Sequence, residues 1–314
     1  MKAALALVVA ACGHGSTPAI THDAPSPGDA PGADSGVAID APGTMGTYRD
    51  SLSVCWTDAT CPRALAVAHG GAWDATTTPY DSSAALMAAF ADGDEGVKID
   101  VRVTKDNVPV IAHSSPIQIY ESVDCANQKI EEMTAAQVTQ CHRFPSSTET
   151  FQRLDDVLND LHGKMTVQLC VKLVSDFQRT IDEVHTLHAE DFAYLEINAG
   201  DVPSVVGPLT GSTNVWWLVN VASDLTQIDP LLALHQSKLF MIEIDPGVDI
   251  GTLPATKLHP AGVRAFIYDN AASPTVAQLK AHYDAGFDVV SSQSGPNGVE
   301  ARVQANTARG VSPP

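Results

Sequence analysis

Lys98, Asp100 and Arg102 alternate with Val97, Ile99, Val101 and Val103. A period of two places three ionisable side chains on one face of a strand and the apolar four on the other. Gln168, Cys170 and Lys172 alternate with Val167, Leu169, Val171 and Leu173 in the same way. If the apolar faces pack outward, four ionisable groups and a thiol converge in one interior. Burying charges without partners is costly, so convergence of this kind points to a functional site. His69 and His113 each end an apolar run, and histidine is the side chain suited to moving protons near neutral pH. Two ammoniums, a carboxylate and two imidazoles are a set for acid–base chemistry on an anion.

The elements that must position these residues are short apolar runs: 64–69, 96–103, 109–113, 165–173, 192–198, 215–221, 239–245, 263–269 and 288–293. Between them lie stretches with helical spacing of apolar positions, at 82–93, 150–163, 176–191 and 275–286. Strand–helix alternation repeated about eight times predicts an α/β fold of the TIM type, a (β/α)8 barrel. An open doubly wound sheet is the alternative, but its glycine-rich phosphate loop is missing. A barrel gathers its chemistry at the C-terminal strand ends, where His69, His113 and Lys172 fall.

The 314 residues carry 37 Asp and Glu against 18 Lys and Arg, a formal charge of −19. Such a surface repels phosphate backbones and disfavours nucleic-acid binding. A 44% hydrophobic content fits a packed core. Residues 1–12 read as an export signal ending in Val9-Ala10-Ala11-Cys12, a pattern like the bacterial lipobox, whose cysteine is lipidated. Residues 13–48, mostly Ala, Pro, Gly, Ser and Asp, read as a disordered tether, which leaves 49–314 as the folded domain. The expected product is an exported protein, anchored to a bacterial membrane through Cys12 or secreted. Cys55 and Cys61 flank a five-residue loop, and Cys125 and Cys141 bracket a polar stretch; both pairs are candidates for disulfides among three pairings open to four cysteines.

Ala68-His69-Gly70-Gly71, followed by KIDVRVTKDNVPVIAHSSPI at 98–117, resembles the glycerophosphodiester phosphodiesterase family of barrel enzymes. That family shows HRG on its first strand, then ExDVxxTKDGxPVxxHD. Residues 150–158 and 281–293 echo its later segments. The resemblance implies a hydrolase of glycerophosphodiesters or phospholipid head groups, with His69 and His113 as general acid and base. It places Asp100 at a metal-ligand position and Lys172 at the phosphate contact, with calcium or magnesium as the family's usual cofactor.

This sequence departs from the pattern. The arginine of HRG is Gly70, the first carboxylate of ExD is Lys98, the third-strand glutamate is Cys170, and the PEN stretch is Pro79-Tyr80-Asp81. Calcium wants several oxygen ligands, which Asp100 alone does not supply. Lys98 would put a fixed ammonium where the family puts its cation and, with Lys172 and Arg102, would bind phosphate. A metal would otherwise need Asp81, Glu196 or Glu243, the latter two on candidate strands. Two further readings stand beside the enzyme: a barrel whose catalysis decayed and which now binds a ligand or partner, and a glycosidase using Glu196 and Glu243.

Overall fold

The computed structural model describes residues 51–210, 214–234, 238–293 and 295–311. The export segment, the tether and Cys12 lie outside the described residues.

Eight parallel strands close on one another: β1 (Leu65–His69), β2 (Gly96–Val103), β4 (Thr166–Val171), β5 (Ala193–Asn198), β6 (Trp216–Ala222), β7 (Leu239–Ile244), β8 (Arg264–Asp269) and β9 (Val289–Ser292). β1 pairs with both β2 and β9, which completes the barrel. The expected run at 109–113 supplies β3 (Pro109–Ile111), which is not a barrel strand. It turns back antiparallel on the end of β2, because Thr104–Val108 closes a tight turn with Asn107 at φ +63°. Around the barrel run α1 (Ser83–Asp92), α2 (Ala135–Val138), α3 (Leu154–Leu161), α4 (Phe177–Thr186), α5 (Val202–Thr210), α6 (Ile228–Ala233), α7 (Val276–Asp284) and α8 (Gly295–Ala308).

Strand parity decides what each side chain meets. Val97, Ile99, Val101, Val167, Leu169 and Val171 face outward into the layer shared with the helices, as the period of two requires. The inward positions change character along the barrel axis. Leu65, Val67, Leu218, Phe266 and Val289 form an apolar plug at the N-terminal end, closed by Leu52 and Trp56 from the segment before β1. Two residues further along the same faces the interior turns polar: His69, Asn220, Tyr268 and Ser291, joined by Lys98, Asp100, Gln168, Glu196 and Glu243. The apolar end supplies stability, leaving the polar end to carry chemistry.

Both expected disulfides are present. Cys55–Cys61 staples the N-terminal plug, and Cys125–Cys141 ties the long segment between β3 and α3. That segment has its own small core of Ile117, Ile130, Met133, Val138 and Phe151 and forms a cap beside the strand ends.

Candidate active site

Asp100 is fully buried on β2, and its carboxylate collects three donors. Both the Lys98 and Lys172 ammoniums bind Oδ1, Lys172 at 2.7 Å, and the Tyr80 hydroxyl donates to Oδ2 at 2.9 Å. Burial alone would raise this carboxyl, but the two ammoniums outweigh it and hold Asp100 ionised, well below the usual carboxylate range. Burial would likewise lower Lys98, yet Asp100, with Glu196 and Asp81 behind it, holds it above the ordinary lysine value. Lys172 is lowered: its burial and the neighbouring Lys98 charge exceed what Asp100 returns. Of two ammoniums sharing one carboxylate, Lys98 is therefore the firmly charged one.

His69 ends β1 and sits beside Lys98 across the strand ladder. Its ring stacks on Tyr268, centroids 4.1 Å apart, and its Nδ1 lies 3.4 Å from the Tyr80 hydroxyl. Burial foremost, then the Lys98 charge, pushes its pKa well below 6.5, so the imidazole is neutral. Because the Tyr80 hydroxyl donates to Asp100, its oxygen accepts from Lys98 at 3.2 Å and from a His69 Nδ1–H. That tautomer leaves Nε2 as the basic nitrogen.

His113 opens the cap segment, and its ring meets Tyr80 edge-on at 6.1 Å. Its Nδ1 lies 3.0 Å from the Ser114 hydroxyl and 3.5 Å from that of Tyr120. Glu121 fixes the backbone here, accepting from the amides of His113 (3.0 Å), Ser114 (3.1 Å) and Gln118 (3.3 Å). Arg102, expected to bind phosphate, grips the His113 carbonyl through Nε and a terminal nitrogen, at 3.0 and 2.9 Å, and so positions the loop.

Tyr80 had no role in the sequence reading, and it is the centre of the site. Its ring lies over Gly70, where a Cβ would come within 1.9 Å of a ring carbon. The aromatic ring thus occupies space next to the position that holds arginine in the HRG pattern. Its neighbour Asp81, at φ +56°, accepts from the Asp100 amide at 3.2 Å while its other oxygen has no hydrogen-bond partner. Burial and the adjacent Asp100 charge raise Asp81 to about 8. Buried Arg143 anchors the stretch by donating to the Tyr80 carbonyl at 3.0 Å and the Ile111 carbonyl at 2.5 Å. The only sequence signal for Tyr80 was its place in the PEN-like triplet. Glu121 and Arg143 had none.

The carboxylates expected to hold a metal do not form a ligand set. Glu196 accepts from Gln168 at 2.8 Å and Glu243 from Asn220 at 3.0 Å; both line one small cavity with His69 and Lys98, and burial raises both groups. Asp81 lies behind Asp100 and accepts its amide with one oxygen only. Among the described residues no three His, Cys, Asp or Glu side chains are gathered so as to hold a metal ion. Asp100 faces two ammoniums, and the positions that would have to be ligands at Lys98 and Cys170 carry a cation and a buried sulfur. The residues present do not fit calcium or magnesium in the arrangement expected from the motif.

Residues 75–195 match the model of the glycerophosphoryl diester phosphodiesterase family. No curated protein matches the chain. The fold is similar to a glycerophosphoryl diester phosphodiesterase from Parabacteroides distasonis, with TM-score 0.65 and 17% identity over 79% of this chain and 90% of that one. It is also similar to a glycerophosphodiester phosphodiesterase from Agrobacterium tumefaciens, with TM-score 0.60 and 17% identity over 75% and 98% of the two chains. An Oleispira antarctica phosphodiesterase in complex with its product sn-glycerol-3-phosphate gives TM-score 0.62 and 17% identity over 79% and 99%. In sequence segment and in barrel the chain resembles this family, at the low identity of a divergent relative.

Proposed function

We propose that this chain, as a divergent relative of the glycerophosphoryl diester phosphodiesterase family, hydrolyses phosphoric diesters, either glycerophosphodiesters or phospholipid head groups. The observation that carries the reading is the pair of ammoniums on Asp100, set between two histidines around Tyr80. The phosphodiester anion binds against Lys98 and Lys172, whose charges meet the negative charge developing on the non-bridging oxygens. Water attacks phosphorus and gives its proton to neutral His69 at Nε2. The bond from phosphorus to the leaving oxygen breaks as His113 donates a proton to that oxygen, releasing an alcohol and a phosphomonoester. Asp100 keeps the ammoniums in place, and Lys98 stands in for a metal. Export and anchoring through Cys12 would present this activity at a membrane surface.

The test is hydrolysis of bis(p-nitrophenyl) phosphate by the full chain in EDTA and with added calcium or magnesium. EDTA-resistant turnover, lost in folded His69→Ala and His113→Ala proteins, is the expected result. Full-rate turnover by either variant refutes the mechanism. The competing reading, a ligand-binding barrel without turnover, draws on the replacement of two motif carboxylates by Lys98 and Cys170. It predicts phosphodiester binding with no hydrolysis under any of these conditions.

A further inference from the structure

At the opposite end of the barrel from the strand-end site, a cleft of about 340 Å³ opens among the segments that lead into β1, β8 and β9. It shares no residue with the site around Asp100. Its size is at the lower end of small-molecule pockets, roughly 300 to 1,000 Å³. Its walls include Pro62, Pro254 and Cys61, whose disulfide to Cys55 holds the segment before β1, so they need little ordering when a ligand arrives.

The ionisable side chains in the lining are His259, Asp288 and Arg309. Asp288 is already committed: Oδ2 accepts from His259 Nε2 at 2.9 Å and from the Ala265 amide at 2.8 Å, and Oδ1 lies 3.9 Å from the buried Arg264 guanidinium. Arg309 makes no ion pair among the described residues. It donates only to carbonyls, those of Pro62 at 3.3 Å and of Tyr283 and Phe287 at 3.0 Å each. Three of its five N–H groups are used in this way, which leaves two for another acceptor. His259 gives its Nε2–H to Asp288, so the neutral ring keeps Nδ1 as an acceptor. Exposed Asp249, which caps the Gly251 amide at the edge of the cleft, is in water and screened. In a chain of net charge −19, this lining presents one guanidinium that no carboxylate offsets, with acceptors beside it and stiff apolar walls.

We propose that this cleft binds a small hydroxylated carboxylate, of the size of a hexuronic acid. Its carboxylate meets Arg309, its hydroxyls donate to His259 Nδ1 and Asp288 Oδ1, and the C–H face of its ring lies on Pro62 and Pro254. A single cation without a counter-charge suits a monoanion, since a dianion would also meet the repulsion of Asp288. The inference does not depend on the phosphodiesterase reading, because the two sites have no residue in common.

The experiment is calorimetric titration of the full chain, near neutral pH, with glucuronate, glucose and cyclohexanecarboxylate. Glucose lacks the charge, and cyclohexanecarboxylate lacks the hydroxyls. Glucuronate is expected to bind at least about tenfold more tightly than either. His259→Phe is expected to remove the margin over cyclohexanecarboxylate, and Arg309→Met the margin over glucose. Arg309 also braces three carbonyls, so if Arg309→Met does not fold, the wild-type margins and His259→Phe decide alone. No detectable binding, a missing margin over either control, or a margin over cyclohexanecarboxylate that survives His259→Phe overturns the inference; the last result would put the ligand at Lys98 and Lys172 instead.

Discussion

Gly70→Ala tests whether Tyr80 is built into the place described. Gly70 has φ +72°, and a Cβ there would lie 1.9, 2.2 and 2.7 Å from three carbons of the Tyr80 ring. The left-handed backbone costs a residue with a Cβ roughly 1 to 2 kcal/mol. Forcing a methyl into a filled space costs about 1 to 3 kcal/mol more. A loss of about 2 to 5 kcal/mol is expected, a large fraction of the roughly 5 to 15 kcal/mol that holds a domain together. Urea unfolding of the wild type, Gly70→Ala, Tyr80→Ala and the double variant separates the two parts. In the Tyr80→Ala background the steric part vanishes and only the backbone part remains, giving a coupling of about 1 to 3 kcal/mol. A Gly70→Ala protein within about 0.5 kcal/mol of wild type, or an equal cost in both backgrounds, would refute the placement of the ring.

Asp81, raised to about 8 by burial and by Asp100, holds its proton in the fold at pH values where the unfolded chain has lost it. The folded state then binds more protons, so stability falls as pH rises between the unfolded value near 4 and about 8, with a slope of up to about 1.4 kcal/mol per pH unit from this group. Asp81→Asn should flatten that part of the profile; an unchanged slope in denaturant melts contradicts the assignment. Asp100→Asn leaves two buried ammoniums without their carboxylate and should cost about 3 to 5 kcal/mol, read by the same melts; near-neutrality would mean the lysines point elsewhere. Removing Cys125 and Cys141 together should lower stability by about 3 kcal/mol and loosen the cap, measured as faster amide exchange at Ile130 and Val138; unchanged exchange would show that the small core alone holds the segment.

The strands were legible because their signal is strong and local. Every apolar run named became a strand, since a barrel buries both faces and demands apolar residues on the outer one. Several elements escaped, two of them for plain physical reasons. Pro109–Ile111 reads like any short strand, and only the turn at Thr104–Val108 tells that it doubles back. Helix Gly295–Ala308 has no apolar stripe to announce it; Gly295, Gly298, Ala301 and Ala305 pack it closely through small side chains, a pattern that looks like a loop. At the site, Lys98, Asp100 and Lys172 were readable from parity, because side chains of one parity on neighbouring strands must meet, and His69 from its place at the end of a run. Tyr80, Glu121, Arg143 and the hold of Arg102 on the His113 carbonyl were not, because they depend on loops whose path no period encodes.

The exchange of a carboxylate for Lys98 changes what the site can hold, and the sign can be worked out. Two unit charges about 4 Å apart interact by about 4 kcal/mol at an effective dielectric of 20. A dication that close to the firmly charged Lys98 would therefore meet a repulsion of about 8 kcal/mol, and Lys172, while charged, would double it. Asp100 returns one attraction of the same size, so a cation in that space loses more than it gains unless an ammonium first gives up its proton. A phosphodiester anion faces the opposite balance, because the two ammoniums and Asp100 together carry one net positive charge. Tyr80 follows from the same change. Its phenol is kept neutral, burial foremost and then Asp100 raising it well above its ordinary value, so it supplies a donor to Asp100 without adding charge. An arginine at position 70 would add a third cation beside one carboxylate. Lys98, Gly70 and Tyr80 are thus mutually consistent departures, which weigh against a cation beside Asp100 and accord with the proposed binding of an anion there.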